Sequence, residues 1–227
     1  MSILTPHHQR EAFASGAFLR VVNWHNTPES ERATLRAELA WYAERHDPVL
    51  PEDLDRLFET GHWGKSKPGF IPVFYDGYLN NATVAAPVCT ELGITAWFFP
   101  PTAFLSVAPA DQAAYADAHD ITLVDEERNQ PALAMTWEDL ELISRTHVVA
   151  AHTANHAQAR HVRTAEDVER EVFEPVRRIT EVTGRRPPAF AWLYGTAFDP
   201  SSVAGRAVLD AGIRYAVSNT AYQRIAD

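Results

Sequence analysis

The sequence predicts an α/β fold with mostly parallel strands, either a barrel or an open sheet. Three observations carry this. Short runs rich in β-branched and aromatic residues recur along the chain. Longer segments with apolar residues at helical spacing separate them. Glycine and proline mark most of the junctions. Strand-like and helix-like segments therefore alternate, which is the signature of parallel strands joined by helical crossovers.

The elements follow in order. AFLRVVNWH, Ala17 to His25, reads as a buried strand, with Phe18–Asn23 as its centre. Thr27 and Pro28 cap a helix along which Leu35, Leu39 and Tyr42 recur. A shorter helix starts at Pro51, presents Leu54, Leu57 and Phe58, and stops at Gly61. GFIPVFYD, Gly69 to Asp76, is the next strand, with Ile71–Phe74 at its centre. A helix from Ala82 to Leu92 ends at Gly93. ITAWFF, Ile94 to Phe99, is a strand closed by two prolines. Pro109 to Ala118 reads as a helix within an irregular stretch from Thr102 to Ala134. Thr136 and Asp139 form a capping box before LELIS. HVVAAHT, His147 to Thr153, is a strand, and Thr164 opens a helix with Val168, Val172, Val176 and Ile179 on one stripe. Its run EDVEREVFEPVRR reads as a solvated helix face. AFAWLYG is a strand with a tight end at Gly195, Asp199 and Pro200 cap a helix ending near Gly212, and YAVSN is the last strand.

Composition narrows the function. A chain of 227 residues predicts one domain, residues 1–227. A net charge of −10 argues against a nucleic-acid partner, because such proteins usually present a basic patch. The single cysteine, Cys89, excludes an intrachain disulfide and a cysteine-rich zinc site. No segment has the length and apolarity of a membrane span. MSILTPHHQREAF lacks a basic head followed by an apolar run, so no signal peptide is expected. That suits a cytoplasmic protein or a secreted form trimmed of its leader.

Ligands of parallel α/β folds gather at the C-terminal ends of the strands. The polar residues expected there are His25, Asp76, His152, and Tyr194 with Gly195. His152 and His156 flank TAN, a spacing that can aim two imidazoles at one ion. Two histidines and one carboxylate suit zinc or another divalent first-row metal with open positions for water. Trp24 and Trp192, at strand ends nearby, are candidates for contact with a substrate ring. Trp63, Trp97 and Trp137 read as core residues.

Three segments, in order, resemble the motifs of the polysaccharide deacetylases of the NodB-homology type. VFYDG (Val73–Gly77) is similar to their Thr-Phe-Asp-Asp-Gly motif, HTANH (His152–His156) to their His-Ser/Thr-x-x-His motif, and FAWLYG (Phe190–Gly195) to a third, FAYPYG. MTWEDLELI and AGIRYAVSN also resemble family text, so the likeness runs from about Phe18 to Asn219. The resemblance implies a distorted (β/α) barrel with mostly parallel strands and a metal-dependent hydrolase that removes acetyl groups from an N- or O-acetylated carbohydrate. It implies that Asp76, His152 and His156 hold the divalent metal, most simply zinc. It implies that the Tyr194 backbone N–H holds the tetrahedral oxyanion, and it matches His25 to a strand-end histidine of one branch.

One position departs from the pattern. In the family the first acid of the Asp-Asp pair is the general base, and here Tyr75 occupies that position. A phenol titrates near 10, a carboxylic acid near 4, so Tyr75 is a poor base at neutral pH and a better hydrogen-bond donor or ligand. Leu193 replaces the proline of the third motif, and the family's later motifs would fall beyond Asn219, so either the domain is shortened at its C-terminal end or those groups are absent. Two readings follow: an active deacetylase with altered acid–base groups, or a catalytically weak or inert relative that binds metal and glycan.

Overall fold

The structure is a computed structural model that describes residues 19–219 and 221–226. The amino-terminal stretch, including Ala17 and Phe18 of the first expected strand, lies outside the described residues. Parallel strands β1 (Leu19–Trp24), β3 (Gly69–Tyr75), β4 (Trp97–Phe99) and β5 (Val148–Val149) form one sheet in that order, with β2 (Asp47–Pro48) beside β3. After Ala150 the chain enters a second sheet of β6 (Ala151–His152), β7 (Ala189–Ala191), β8 (Tyr215–Ser218) and β9 (Ala221–Arg224), in which only β9 runs antiparallel. β4 lies against β6 and β1 against β9, so the two sheets face a common interior without a closed hydrogen-bonded ring.

Residue parity explains the interior. Side chains alternate along a strand. Val21, Ile71, Val73, Tyr75, Trp97, Phe99, Val148, Ala150, Ala189, Ala191, Tyr215 and Val217 occupy alternate positions and meet in one buried cluster. Val49, Leu54, Leu57 and Trp63 join it from the side where β3 starts, and the Trp97 indole N–H donates to the Val49 carbonyl at 2.9 Å. The intervening residues, among them Phe70, Phe74, Phe98, Val149, Phe190 and Trp192, face the helices. With both faces covered, β3 is buried along its whole length and needs no polar alternation. Each fully buried ring contributes roughly 1.5–3 kcal/mol over exposure.

The helical layer comprises α1 (Arg32–Arg45), α2 (Pro51–Thr60), α3 (Ala86–Glu91), α4 (Gln112–Ala118), α5 (Asp125–Arg128), α6 (Trp137–Ile143), α7 (Ala165–Val168), α8 (Glu174–Thr183) and α9 (Val203–Asp210). Thr136 caps α6 as expected, its hydroxyl accepting from the Asp139 N–H. The cap of α9 is Ser202, not Asp199–Pro200; Asp199 instead accepts from the Ser201 N–H in the preceding turn. Two wide π-turns, Asn81–Ala85 before α3 and Glu169–Phe173 between α7 and α8, interrupt helices that read as continuous in the sequence. Such turns concentrate at functional sites.

Candidate active site

Parity also delivers the site. His25, Tyr75 and His152 continue the inward-facing series at the C-terminal ends of β1, β3 and β6, and all three line a cavity of about 510 Å³. Asp76, Asp120, His156, Tyr194 and Asn219 line it too. These five are the non-glycine residues with positive φ among the described residues, at +70°, +57°, +55°, +63° and +44°. A left-handed backbone is costly for residues with a Cβ and persists where the surroundings enforce it, often at functional sites. Gly77, directly after Asp76, is left-handed as well, and a Cβ there would fall 2.9 Å from Leu105 and 3.0 Å from Pro100.

The two histidines have fixed tautomers. His156 Nδ1 lies 2.7 Å from the His119 carbonyl, which can only accept, so Nδ1 carries the proton. The Thr153 hydroxyl gives its one proton to the Ala157 carbonyl at 3.1 Å, so it accepts from His152 Nδ1 at 3.1 Å. In its neutral form each imidazole therefore carries its lone pair on Nε2. His156 Nε2 stands 3.1 Å from Asp76 Oδ1, in a contact not aligned as a hydrogen bond, and Oδ1 is buried without a hydrogen-bond partner. The other carboxylate oxygen, Oδ2, receives the Tyr78 hydroxyl at 3.3 Å, which the Thr122 carbonyl shares at 2.8 Å.

Charge and burial compete here. Burial alone would raise the Asp76 carboxyl, but the adjacent His156, followed by His25 and His152, outweighs it and holds the group below the ordinary carboxylate range. Burial likewise opposes protonation of His156, and the Asp76 carboxylate overcomes it and raises that imidazole. His152 is pushed down to about 3, first by burial and then by His156, and is neutral at physiological pH.

Tyr75 is buried between His25, whose ring centroid is 5.3 Å away, Phe99 at 5.3 Å and His152 at 6.3 Å. Its hydroxyl is buried without a hydrogen bond, although the Asn219 backbone approaches it. Burial, and then the Asp76 charge, push the phenol far above its ordinary value. This side chain is an uncharged hydroxyl at the floor of the cavity.

The remaining sequence candidates separate. Tyr194 lines the cavity with its side chain 64 % exposed and its hydroxyl donating to Asp120 at 3.0 Å. Trp192 borders the cavity but is buried in the helix-facing layer against Phe190. Trp24 does not join them. It has the opposite parity from His25, so it points outward, stacks on Phe74 at 5.4 Å and donates to Glu38 at 3.3 Å.

Several residues of the site were not singled out from the sequence. Tyr78, Asp120, Thr122 and Asn219 complete the wall. Glu171 lies outside the wall and fixes the histidine loop, accepting from the Asn155 backbone N–H and side-chain amide, both at 3.0 Å. It belongs to the run read as a solvated face, yet it is buried, because the π-turn rotates it inward. The one available signal was a glutamate one position before Val172 of the apolar stripe.

The donors fit a divalent ion in chemistry. Two Nε2 lone pairs and a buried carboxylate oxygen lacking a partner share one cavity, and each imidazole Nδ1–H is anchored, as is usual for metal-bound histidine. Cis donors of an ion bound at about 2.0–2.1 Å stand about 3.0–3.4 Å apart, which the Asp76–His156 contact matches. Among the described residues, no three His, Cys, Asp or Glu side chains already form a ready metal cluster.

Comparison with known families gives a match to polysaccharide deacetylase over residues 65–216. The chain belongs to the polysaccharide deacetylase family. Several solved structures share the fold: the de-N-acetylase from Aggregatibacter actinomycetemcomitans (TM-score 0.66, 16 % identity, 92 % of this chain and 91 % of that one), IcaB from Ammonifex degensii (0.64, 17 %, 88 % and 83 %), and the BpsB deacetylase domain from Bordetella bronchiseptica (0.65, 13 %, 90 % and 89 %). Comparison with curated protein sequences returns no match. The deacetylase fold is thus an α/β assembly of mostly parallel strands, and no helix among its described residues is long and apolar enough to cross a membrane.

Proposed function

We propose that this chain is a metal-dependent hydrolase that removes acetyl groups from an acetylated polysaccharide. The observation that carries the reading is the Asp76–His156 contact. With Nδ1–H committed to the His119 carbonyl, a neutral His156 turns a lone pair toward a carboxylate oxygen 3.1 Å away. Two lone pairs at that distance call for a positive charge between them, a proton on Nε2 in the metal-free chain and a divalent ion in the loaded one. Asp76, His152 and His156 would hold a divalent ion, zinc being the simplest fit, and such an ion supplies Lewis-acid polarisation of the acetyl carbonyl and a more acidic water.

The chain's own groups divide the remaining work. Tyr194, left-handed at the tight turn before Gly195, offers its backbone N–H to the developing oxyanion. Tyr75, uncharged and buried, is unsuited to accept a proton. His25 lies beside it at the cavity wall, exposed to solvent, and imidazole is the commonest general base. We assign the proton-accepting role to His25. The second reading, an inert binder of metal and glycan, is favoured by one feature, the replacement of an acid by the buried Tyr75.

Acetate release decides between them. Chitin oligomers, peptidoglycan and acetylated xylan are incubated with zinc-loaded and chelator-treated protein. Zinc-dependent acetate from one of them supports the hydrolase. Stoichiometric zinc with no acetate from any supports the inert binder.

A further inference from the structure

We propose a second carbohydrate-binding groove on the outer side of β1, built by Trp24, Trp41, Tyr42 and Glu38, that holds polysaccharide beyond the reacting acetyl group. The groove measures about 520 Å³ and runs between β1 and α1, with Val22 and Ala37 also lining it. Trp41 is 49 % exposed, among the largest apolar side chains left in solvent.

The rings are held in place. Trp24 stacks on Phe74, and Tyr42 stacks on Phe70 at 4.4 Å with the planes 7° apart. Trp41 stands edge-on to Tyr42 at 5.1 Å, with the Arg45 guanidinium 4.5 Å over its ring. Rigid rings lose little entropy on binding. The Trp24 indole N–H donates to Glu38, whose carboxylate has lone pairs left for other donors. Flat apolar faces beside a fixed acceptor suit a sugar. Its C–H faces lie on the aromatic surface, and its hydroxyls donate to the carboxylate. The Arg45 guanidinium over Trp41 is paired with Glu44 at 2.9 Å, so Glu38 leaves the groove with one net negative charge, which favours a neutral glycan over a polyanion.

Continuity with the active site argues for the occupant. Trp24 and His25 are consecutive, the first lining the groove and the second lining the catalytic cavity. A polymer with one unit in the cavity has to cross the end of β1 and run back along its outer face to the level of Phe70, four residues or about 13 Å, to reach Trp41. In this respect the proposal rests on the deacetylase reading, since a small substrate would have no use for the groove.

The test compares chain lengths. Binding of an N-acetylglucosamine disaccharide and hexasaccharide, and of an acetylated xylan series, is measured calorimetrically on wild-type, Trp41→Ala and Glu38→Gln proteins. Circular dichroism checks folding, and Arg186→Ala at the far end of the strands serves as control. Wild type is expected to bind the long chains about tenfold more tightly than the short ones, equivalent to ~1.4 kcal/mol. Trp41→Ala is expected to erase that difference and Glu38→Gln to reduce it. Equal affinity for long and short chains in wild type, no binding of either series, or an unchanged difference in Trp41→Ala overturns the groove. So does sedimentation showing that Trp41→Ala converts a dimer to a monomer, which gives the face to a second copy. Binding is read without turnover, so failure of acetate release sinks the hydrolase reading and not the groove measurement.

Discussion

Two cavities lie at opposite ends of the same strands, and they are built differently. The one at the C-terminal ends gathers two buried histidines, a buried aspartate and the five left-handed non-glycine residues found among the described residues. The one at the N-terminal ends, about 310 Å³, is lined by Arg145, Arg185, Arg186 and Arg214 around Thr95, Val148 and Pro188. Arg214 pairs with Asp55 and Arg145 with Glu141. Its one buried imidazole, His147, has both nitrogens in contacts with Thr90, Ala86 and Ala96. Burial lowers that group's pKa, so it is a neutral packing residue. Both ends carry histidine and charge. Among the described residues, only the C-terminal end combines strained backbone with a buried carboxylate oxygen that makes no hydrogen bond and faces an imidazole 3.1 Å away. That combination, rather than cavity size or charge, marks the place where the chain has given up stability for chemistry.

The comparison breaks most visibly at His25. If this residue accepts the proton, His25→Ala should lower kcat by about 10²–10⁴ while zinc content stays at wild-type level. Undiminished kcat in that variant would move the base elsewhere in the cavity. A smaller effect is expected at Glu171, which touches the histidine loop only through Asn155. Glu171→Ala should weaken zinc binding about 10–100-fold, the usual cost of losing an outer-shell partner. Competition with a zinc-binding dye measures it, and wild-type affinity would show that the loop is fixed without Glu171.

Tyr75 gives the finest distinction. Its hydroxyl is buried and unpaired, and removing such a group relieves a desolvation cost of about 1–3 kcal/mol. Tyr75→Phe should therefore raise the urea midpoint of the metal-free protein, with no loss of zinc binding. A lower midpoint would mean that the hydroxyl is satisfied in the native state. Arg186→Ala, at the other end, should change stability by no more than about 0.5 kcal/mol and leave zinc binding untouched.

The sequence made the strand interior legible because β3 and its neighbours are apolar without alternation, and only parallel strands covered on both faces tolerate that. Asp76, His152 and His156 were legible because their motifs are local in sequence. What stayed hidden depended on parity or on long-range contacts. Trp24 and His25 are adjacent in the chain yet face opposite sides of β1, and strand ends alone do not say which side is inward. The capping box at Thr136 was readable because its partners are three residues apart, whereas Glu171 reaches Asn155 across 16 residues through a π-turn that periodicity does not announce. β2 and β9 escaped notice for a related reason. A two-residue strand and an edge strand with half its residues exposed carry little apolar signal.

The central claim is that Asp76, His152 and His156 together bind one divalent cation. Equilibrium dialysis against zinc, followed by elemental analysis of wild-type, Asp76→Ala and His152→Ala proteins, tests it directly. One zinc per wild-type chain, and none retained by either variant, is the predicted result. Wild type without stoichiometric zinc, or variants that keep it, would contradict the account.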